Sequence, residues 1–256
     1  MSSDKRFLAL RLDGPLQSWG FDSQYNRRNT GLMPTKSAIA GMCCAALGYP
    51  RGCEKEKKFL IAFKKVRMTS IAIPRRINTK DLPMRRLQDY HTVGGGYNPD
   101  NPAERHCITV TAKDRKPKTR DKQTVITHRQ YLTDASFGVL LEGNADLMGK
   151  LAEALADPIW GIWLGRKSCI PSAPVLPGLK EYRDNPLSLV KENKGEVLRL
   201  LIGEKPLESF IQQEEVENFV DGRDTIPDVP VSFDSKRRLF APRRVKTIQA
   251  KSLDAG

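Results

Sequence analysis

The sequence predicts an α+β fold in which strand, helix, strand, strand, helix and strand follow in order, with a long basic insertion between the second and third strands. Three observations carry this prediction. Two helical stripes are each flanked by short apolar runs of strand length. The stretch from Pro74 to Thr133 has no sustained core pattern. Hydrophobic residues make up 39% and charged residues 29% of 256 residues, enough to bury a core in one large domain.

Residues 6–12, RFLALRL, read as a first strand apolar enough to be central. DGPLQSWG follows as a turn and an exposed loop carrying Trp19. Over 34–50, PTKSAIAGMCCAALGYP, Thr35 caps a helix, Ile39, Met42/Cys43 and Ala46/Leu47 form its apolar stripe, and Gly48 with Pro50 stops it. Residues 59–73, FLIAFKKVRMTSIAI, read as a second strand, broken near Lys64–Lys65. Within the insertion, CITVTAKDR and QTVITHRQYL alternate on either side of the polar tip KPKTRDK, the pattern of a projecting hairpin. A structureless loop of that length is unfavourable in a compact domain, so the insertion reads as an extended functional arm. ASFGVLLEG, 135–143, is a third strand. ADLMGKLAEALADP places Leu147, Leu151 and Leu155 at i, i+4 and i+8 and ends at Pro158, giving a second helix. IWGIWLG, 159–165, reads as a fourth strand.

That order is ferredoxin-like, the RRM-like architecture shared by RNA-recognition domains. Residues 1–177 then form the main domain, with the arm over 74–133. Residues 178–256 form a small β-rich extension in which EVLRLLIGE is a strand, LESFIQQEEVENFVDGRD an acidic helix or loop, and SKRRLFAPRRVKT a basic segment.

Charge narrows the function. Lys and Arg number 43 against 30 Asp and Glu, a formal net charge of +13 with a pI near 9.6. A fold does not need that excess, which repels itself in the compact state, so a polyanionic partner is the natural explanation. Membrane binding ranks below nucleic acid, because the chain shows no basic amphipathic helix, no lipidation signal and no spanning apolar run. The N-terminus enters strand-like alternation directly with no signal peptide, which points to the cytoplasm. Five cysteines without CxxC spacing fit a reducing compartment. There is no HxxxH, HExxH or paired-carboxylate set beside the histidines, so neither a metal site nor a cofactor is expected.

Anion-binding candidates are few and specific. MPTKS puts Thr35, Lys36 and Ser37 at a helix N-terminus, where free N–H groups and the helix dipole favour phosphate. Capping explains Thr35, but a cation in the first turn opposes the dipole, which favours a phosphate site at Lys36 and Ser37. LGRKSC offers Gly165 followed by Arg166, Lys167 and Ser168, either an anion cradle or a solvated turn. The arm carries Arg75, Arg76, Arg85, Arg86, Arg105, Lys113, Arg115, Lys116, Lys118, Arg120 and Lys122 against few acids. A whole arm of one sign is poor solvated surface without a polyanion to neutralise it. DYHT and THRQY supply Tyr90, His91, His128, Arg129 and Tyr131. Metal-free RNA cleavage needs a base, an acid and a cation on the phosphate. Those residues could supply them, or could serve only to grip RNA.

Taken together, LRLDGPLQSWG, PTKSAIAGMCCAALG, LQDYHTVGGG, ITHRQYLTDASFGVLLEG and WLGRKSCIPSAPV resemble, in order, the CasD family of the type I-E CRISPR surveillance complex, Cascade. The resemblance spans most of the first ~180 residues. It implies a ferredoxin-like domain with a long β-hairpin thumb, and a subunit that grips the 5′ handle of the guide RNA (crRNA). It further implies that the subunit caps the backbone filament and contacts the backbone subunit and the large subunit, meeting target DNA only through the complex. It implies a non-catalytic role, whereas in a related subtype the equivalent subunit is a metal-independent endoribonuclease using Tyr, Lys and His. Here the Tyr–His pair is in DYHT, and His128 is followed by Arg129 and not by Lys. The expected RNA contacts are Lys36, Ser37 and Arg166–Ser168 on handle phosphates, and Tyr90, His91 and His128–Tyr131 on handle nucleotides. Arm cations such as Arg75, Arg76, Arg86, Lys116 and Lys118 are expected beside the first guide segment.

Overall fold

The computed structural model describes residues 4–20, 23, 26–78, 80–93 and 125–249. Its elements in chain order begin with β1 (Lys5–Asp13), β2 (Leu16–Gln17), β3 (Trp19–Gly20), β4 (Arg27–Arg28) and β5 (Thr30–Gly31). Two helices follow, α1 (Lys36–Ala46) and α2 (Glu54–Lys64), then β6 (Arg67–Ala72), β7 (Arg75–Ile77), β8 (Lys80–Leu82) and β9 (Arg85–Val93). The chain continues through β10 (Val125–Thr133), β11 (Ser136–Asn144), α3 (Ala145–Ala156), α4 (Lys194–Ile202), β12 (Ile211–Glu215), β13 (Asp224–Ser232) and β14 (Leu239–Ile248).

The main sheet is antiparallel and six-stranded, ordered β1-β11-β6-β12-β14-β13. Strand alternation sorts its side chains onto two faces. Leu8, Leu10 and Leu12 of β1 and Val139 and Leu141 of β11 turn to one face, where they meet α1, α2 and α3 in the principal core. Ala9, Ile71 and Leu140 turn to the other face and pack under α4 through Val197 and Leu201. Burying those two α4 side chains contributes roughly 1.5–3 kcal/mol each. Thr35 caps α1 as expected, its side chain accepting from the Ala38 N–H.

Five predicted elements are corrected: the DGPLQSWG loop is not exposed, since Trp19 is fully buried, LESFIQQEEVENFVDGRD contributes the strand β12, and three more differ in kind. FLIAFKK is helical up to Lys64, and only Arg67–Ala72 is strand. Phe59, Leu60 and Phe63 are buried while Ile61 is 68% exposed, a helical and not a two-residue period. Cys53 caps that helix and Glu54 and Glu56 suit its first turn. EVLRLLIGE likewise forms α4, since Val197 and Leu201 at i, i+4 face the sheet and Gly203, at φ 67°, ends the helix.

IWGIWLG makes no strand. Ile159 and Trp160 donate instead to the Ala46 and Ala45 carbonyls at the end of α1, and both side chains are exposed. The outer edge of β1 is covered locally, by a reciprocal backbone pair between Phe7 and Lys191 and by the Val175 carbonyl, which accepts from the Arg11 N–H. On the far side, β12 pairs with β6, so residues of the C-terminal third extend the main sheet. CITVTAKDR and the tip KPKTRDK lie outside the described residues.

A second sheet is organised around β10, which pairs antiparallel with β9 from Val125↔Val93 to Thr133↔Arg85. Its end at Leu132–Thr133 pairs with β2, and His128–Arg129 runs parallel to β4.

Candidate nucleic-acid interface

Four chain segments converge around β10. The parallel bridge to β4 sets Arg27 beside His128 and Arg28 beside Arg129, with the His128 N–H donating to the Asn26 carbonyl at 2.8 Å. The 164–169 loop closes over them. Ser18 N–H donates to the Leu164 carbonyl at 3.0 Å, and Leu164 N–H to the Cys169 carbonyl at 2.7 Å. Between these anchors Gly165 adopts φ +99°, and a Cβ there would lie 1.8 Å from the Ser18 carbonyl oxygen. Only glycine fits. The turn aims Arg166 back at the sheet, where its Nη2 donates to the Arg28 carbonyl at 2.7 Å and its guanidinium sits 4.8 Å from the Tyr131 ring centroid.

Tyr131 anchors the cluster at 5% exposure. Burial pulls its phenol pKa upward, but hydrogen bonding with Ser168, Arg166 and Arg129 and the nearby Arg166 charge outweigh that, so it lies below the usual phenol value. Cations are therefore dense enough here to stabilise a negative charge on a buried oxygen, the same electrostatic condition a phosphate needs.

The register of β9 and β10 separates the two histidines. Tyr90 lies opposite His128 and the rings meet edge to face at 5.4 Å. His91 lies opposite Thr127, whose Oγ1 is 3.3 Å from its Nδ1, and Arg129 Nε donates to the same Oγ1 at 3.2 Å. Successive strand residues face opposite sides, so His128 with Tyr90 and His91 with Thr127 and Arg129 occupy different faces. No single phosphodiester lies between the two imidazoles in this arrangement.

The Lys36 expectation is corrected. Its side chain is wholly buried and its Nζ lies 2.8 Å from Glu215 Oε1, while its backbone N–H donates to Asp228 Oδ2 at 2.8 Å. Asp228 also takes Arg243 in a two-point ion pair at 2.6 and 2.9 Å. The free N–H group at the start of α1 is thus satisfied from within, by a carboxylate brought by β13. Burial holds the Lys36 pKa below the usual lysine value although Glu215 opposes it. Ser37 stays half-buried, near Thr35 Oγ1 at 3.3 Å, on the wall of a groove that also carries Arg28 and Arg166.

The remaining expected residues scatter. Arg75 pairs with Asp134 at 2.8 Å and Arg76 with Asp81 at 2.5 Å, both exposed. Arg86 is exposed on β9 opposite Leu132. Lys167 reaches over the Trp163 ring at 5.9 Å. Lys116 and Lys118 lie outside the described residues. Sequence reasoning missed Arg27 and Arg28, whose Arg–Arg pair in QYNRRNTG was the available signal. Among the described residues no group of three metal-ligating side chains occurs, and no helix is long and apolar enough to cross a membrane.

Comparison with known proteins gives this geometry a family. A model of the family described as CRISPR-associated protein (Cas_Cas5) matches residues 7–246. The CRISPR system Cascade subunit CasD of Escherichia coli (strain K12) is 30% identical over 188 residues, 70% of this chain and 74% of that protein. A chain of a CRISPR RNA-guided surveillance complex superposes with a TM-score of 0.68 at 28% identity, over 94% of this chain and 89% of its own. A crystal structure of a Cas protein matches with a TM-score of 0.58 at 29% identity, over 94% and 93%. Matched by the family model over nearly its whole length, and by a CasD over two thirds of each protein, the chain belongs to the CasD family of CRISPR-associated proteins.

Proposed function

We propose that this protein is a non-catalytic subunit of a type I-E Cascade surveillance complex, binding the 5′ handle of the crRNA. The observation that carries the reading is the convergence of Arg129 and Arg166 on Tyr131, with Arg28 set beside Arg129 by the bridge to β4, where β4, β10 and the 164–169 loop meet. Three arginines brought together there suit phosphate contacts, and the Tyr90–His128 pair on the opposite face of the β9–β10 ladder, with Tyr90 exposed and His128 half-buried, suits contact with unstacked bases. Kinship with CasD and with a surveillance-complex chain supports the assignment.

In this reading β1, β11 and β6 under α1 and α3 form the ferredoxin-like core of residues 1–177, without the expected fourth strand. The β9–β10 ladder is the base of a thumb that wedges between bases of the first guide segment, and residues 178–256 are an extension built onto the sheet. The subunit caps the backbone filament, touches the backbone and large subunits in the cytoplasm, and meets target DNA only through the complex. Separation of His91 and His128 onto opposite faces weighs against the metal-independent endoribonuclease alternative.

The test is incubation of the full chain, in EDTA, with labelled repeat RNA beside His91→Ala and His128→Ala variants. The expected result is intact RNA, bound with an affinity that falls steeply as salt rises. A discrete cut lost in either variant would overturn the assignment and make the chain a processing enzyme.

A further inference from the structure

The cationic cluster opens onto a groove of about 1030 Å³ that runs along α1, away from β10. One wall is the 160–167 loop with Trp160 and Trp163, and the other is the segment leading from β13 into β14, with Phe233, Arg238 and Phe240. Two of the chain's 3 tryptophans line it, in a protein with only 7% aromatic residues. Trp160 is 43% and Phe240 45% exposed, so aromatic surface faces the groove and is not spent in a core. Cations stand at both ends: Arg28, Arg166 and Lys167 at the β10 end, Arg51 and Arg238 farther along. Of the two acids in the lining, Asp228 is committed to Arg243 and to the Lys36 N–H.

Glu56 is the other. It is 1% exposed; its Oε2 accepts from the Gly52 N–H at 2.8 Å, while its Oε1 has no hydrogen-bond partner among the described residues. A buried carboxylate oxygen left without a donor is costly, and a donor arriving with a ligand would offset that cost. The exposed rings of Trp160 and Phe240 flanked by cations, over an acceptor lacking its N–H, are the features that take single-stranded nucleic acid: rings for bases, guanidiniums for phosphates, and a carboxylate for an N–H on a base edge.

The geometry points to this groove as a second RNA-binding segment of the subunit, holding single-stranded nucleotides between Trp160/Trp163 and Phe240. The C-terminal segment is therefore part of the RNA site and not only a sheet extension. The inference rests on the reading of the β10 cluster as an RNA surface, because the groove continues from it.

Equilibrium binding of a single-stranded repeat oligoribonucleotide to the full chain tests it, with Phe240→Ala, Arg238→Ala and Arg166→Ala compared and thermal unfolding recorded for each. Phe240 and Arg238 are exposed, so their removal leaves folding intact. Loss of a stacking ring at Phe240 is expected to weaken binding roughly 5- to 150-fold. RNA is also expected to quench tryptophan fluorescence, and the quenching to vanish in a Trp160→Phe/Trp163→Phe variant, because Trp19 is fully buried. If Arg166→Ala weakens binding while Phe240→Ala and Arg238→Ala do not, the groove assignment is overturned and the cluster stands. Absence of binding by the unaltered chain would sink both. Unchanged RNA affinity combined with failure of Phe240→Ala to join the assembled complex would make the groove a protein interface instead.

Discussion

Replacing Lys36 by methionine separates two roles that the sequence alone could not. In the fold, Lys36 Nζ lies against both carboxylate oxygens of Glu215, at 2.8 and 2.9 Å, with the lysine side chain wholly buried. Removing one partner of a buried pair costs about 3–5 kcal/mol, since the other charge is left uncompensated. Glu215 would keep Arg243 at 3.6 Å and the Met68 N–H at 3.2 Å, which places the loss near the lower end, about 3 kcal/mol. For a chain of this size that corresponds to a fall in Tm of roughly 6–12 °C. Circular dichroism melts would read it, with RNA affinity measured across a salt series below the transition. The expected outcome is lower Tm with unchanged affinity and salt slope. A Glu215→Gln variant and the double variant should give a non-additive cycle, as for residues in contact. An unaltered Tm with a salt slope reduced by about 1 would refute the argument, because a lysine on a phosphate behaves that way.

Three further outcomes follow from the geometry. Gly165→Ala forces a Cβ against the Ser18 carbonyl at a positive φ; the backbone strain of about 1–2 kcal/mol and loss of the Ser18–Leu164 hydrogen bond, about 1 kcal/mol, should lower stability together and release Arg166. An unchanged melt and unchanged RNA affinity would contradict it. In an ultraviolet pH titration, Tyr131 should ionise early, below the usual phenol value. That early step should be absent from Tyr131→Phe and moved upward in Arg166→Ala. Because the folded phenol pKa is depressed, the unfolded chain binds more protons between the two values, so this group's stabilisation is absent below the folded pKa and grows as pH rises toward about 10. Glu142 gives an acid-side counterpart. Burial raises its pKa, but Arg67 and Lys5 outweigh that and hold it below the usual carboxylate value. Its stabilising contribution is present above about pH 4.5 and lost as pH falls through the folded pKa, so acid unfolding of Glu142→Gln should begin from a lower stability but lose less.

The legibility of the fold followed the range of the forces involved. The α1 helix, α3, β1 and β11 were readable because cap, periodicity and stop signals are local, and tertiary packing agreed with them. FLIAF and VLRLLI were misread because short runs of apolar residues satisfy either period. Which side chains face a core was decided by α2 packing on the principal core and α4 covering the opposite face of the sheet. IWGIWLG failed for a related reason: the end of α1 captured its Ile159 and Trp160 N–H groups, a contact the local pattern does not reveal.

The site divides in the same way. Charge composition pointed to a polyanionic partner, and the Tyr, His and Arg segments on β9 and β10 marked the proposed place for it. Only the tertiary structure decided which cations are brought together there. Lys36 was withdrawn into a buried network by Glu215, a residue 179 positions away in sequence, while Arg166 was laid over Tyr131 and bonded to the backbone carbonyl of Arg28, 138 positions away. Electrostatic attraction depends on distance in space, and a linear sequence records no distances across a sheet.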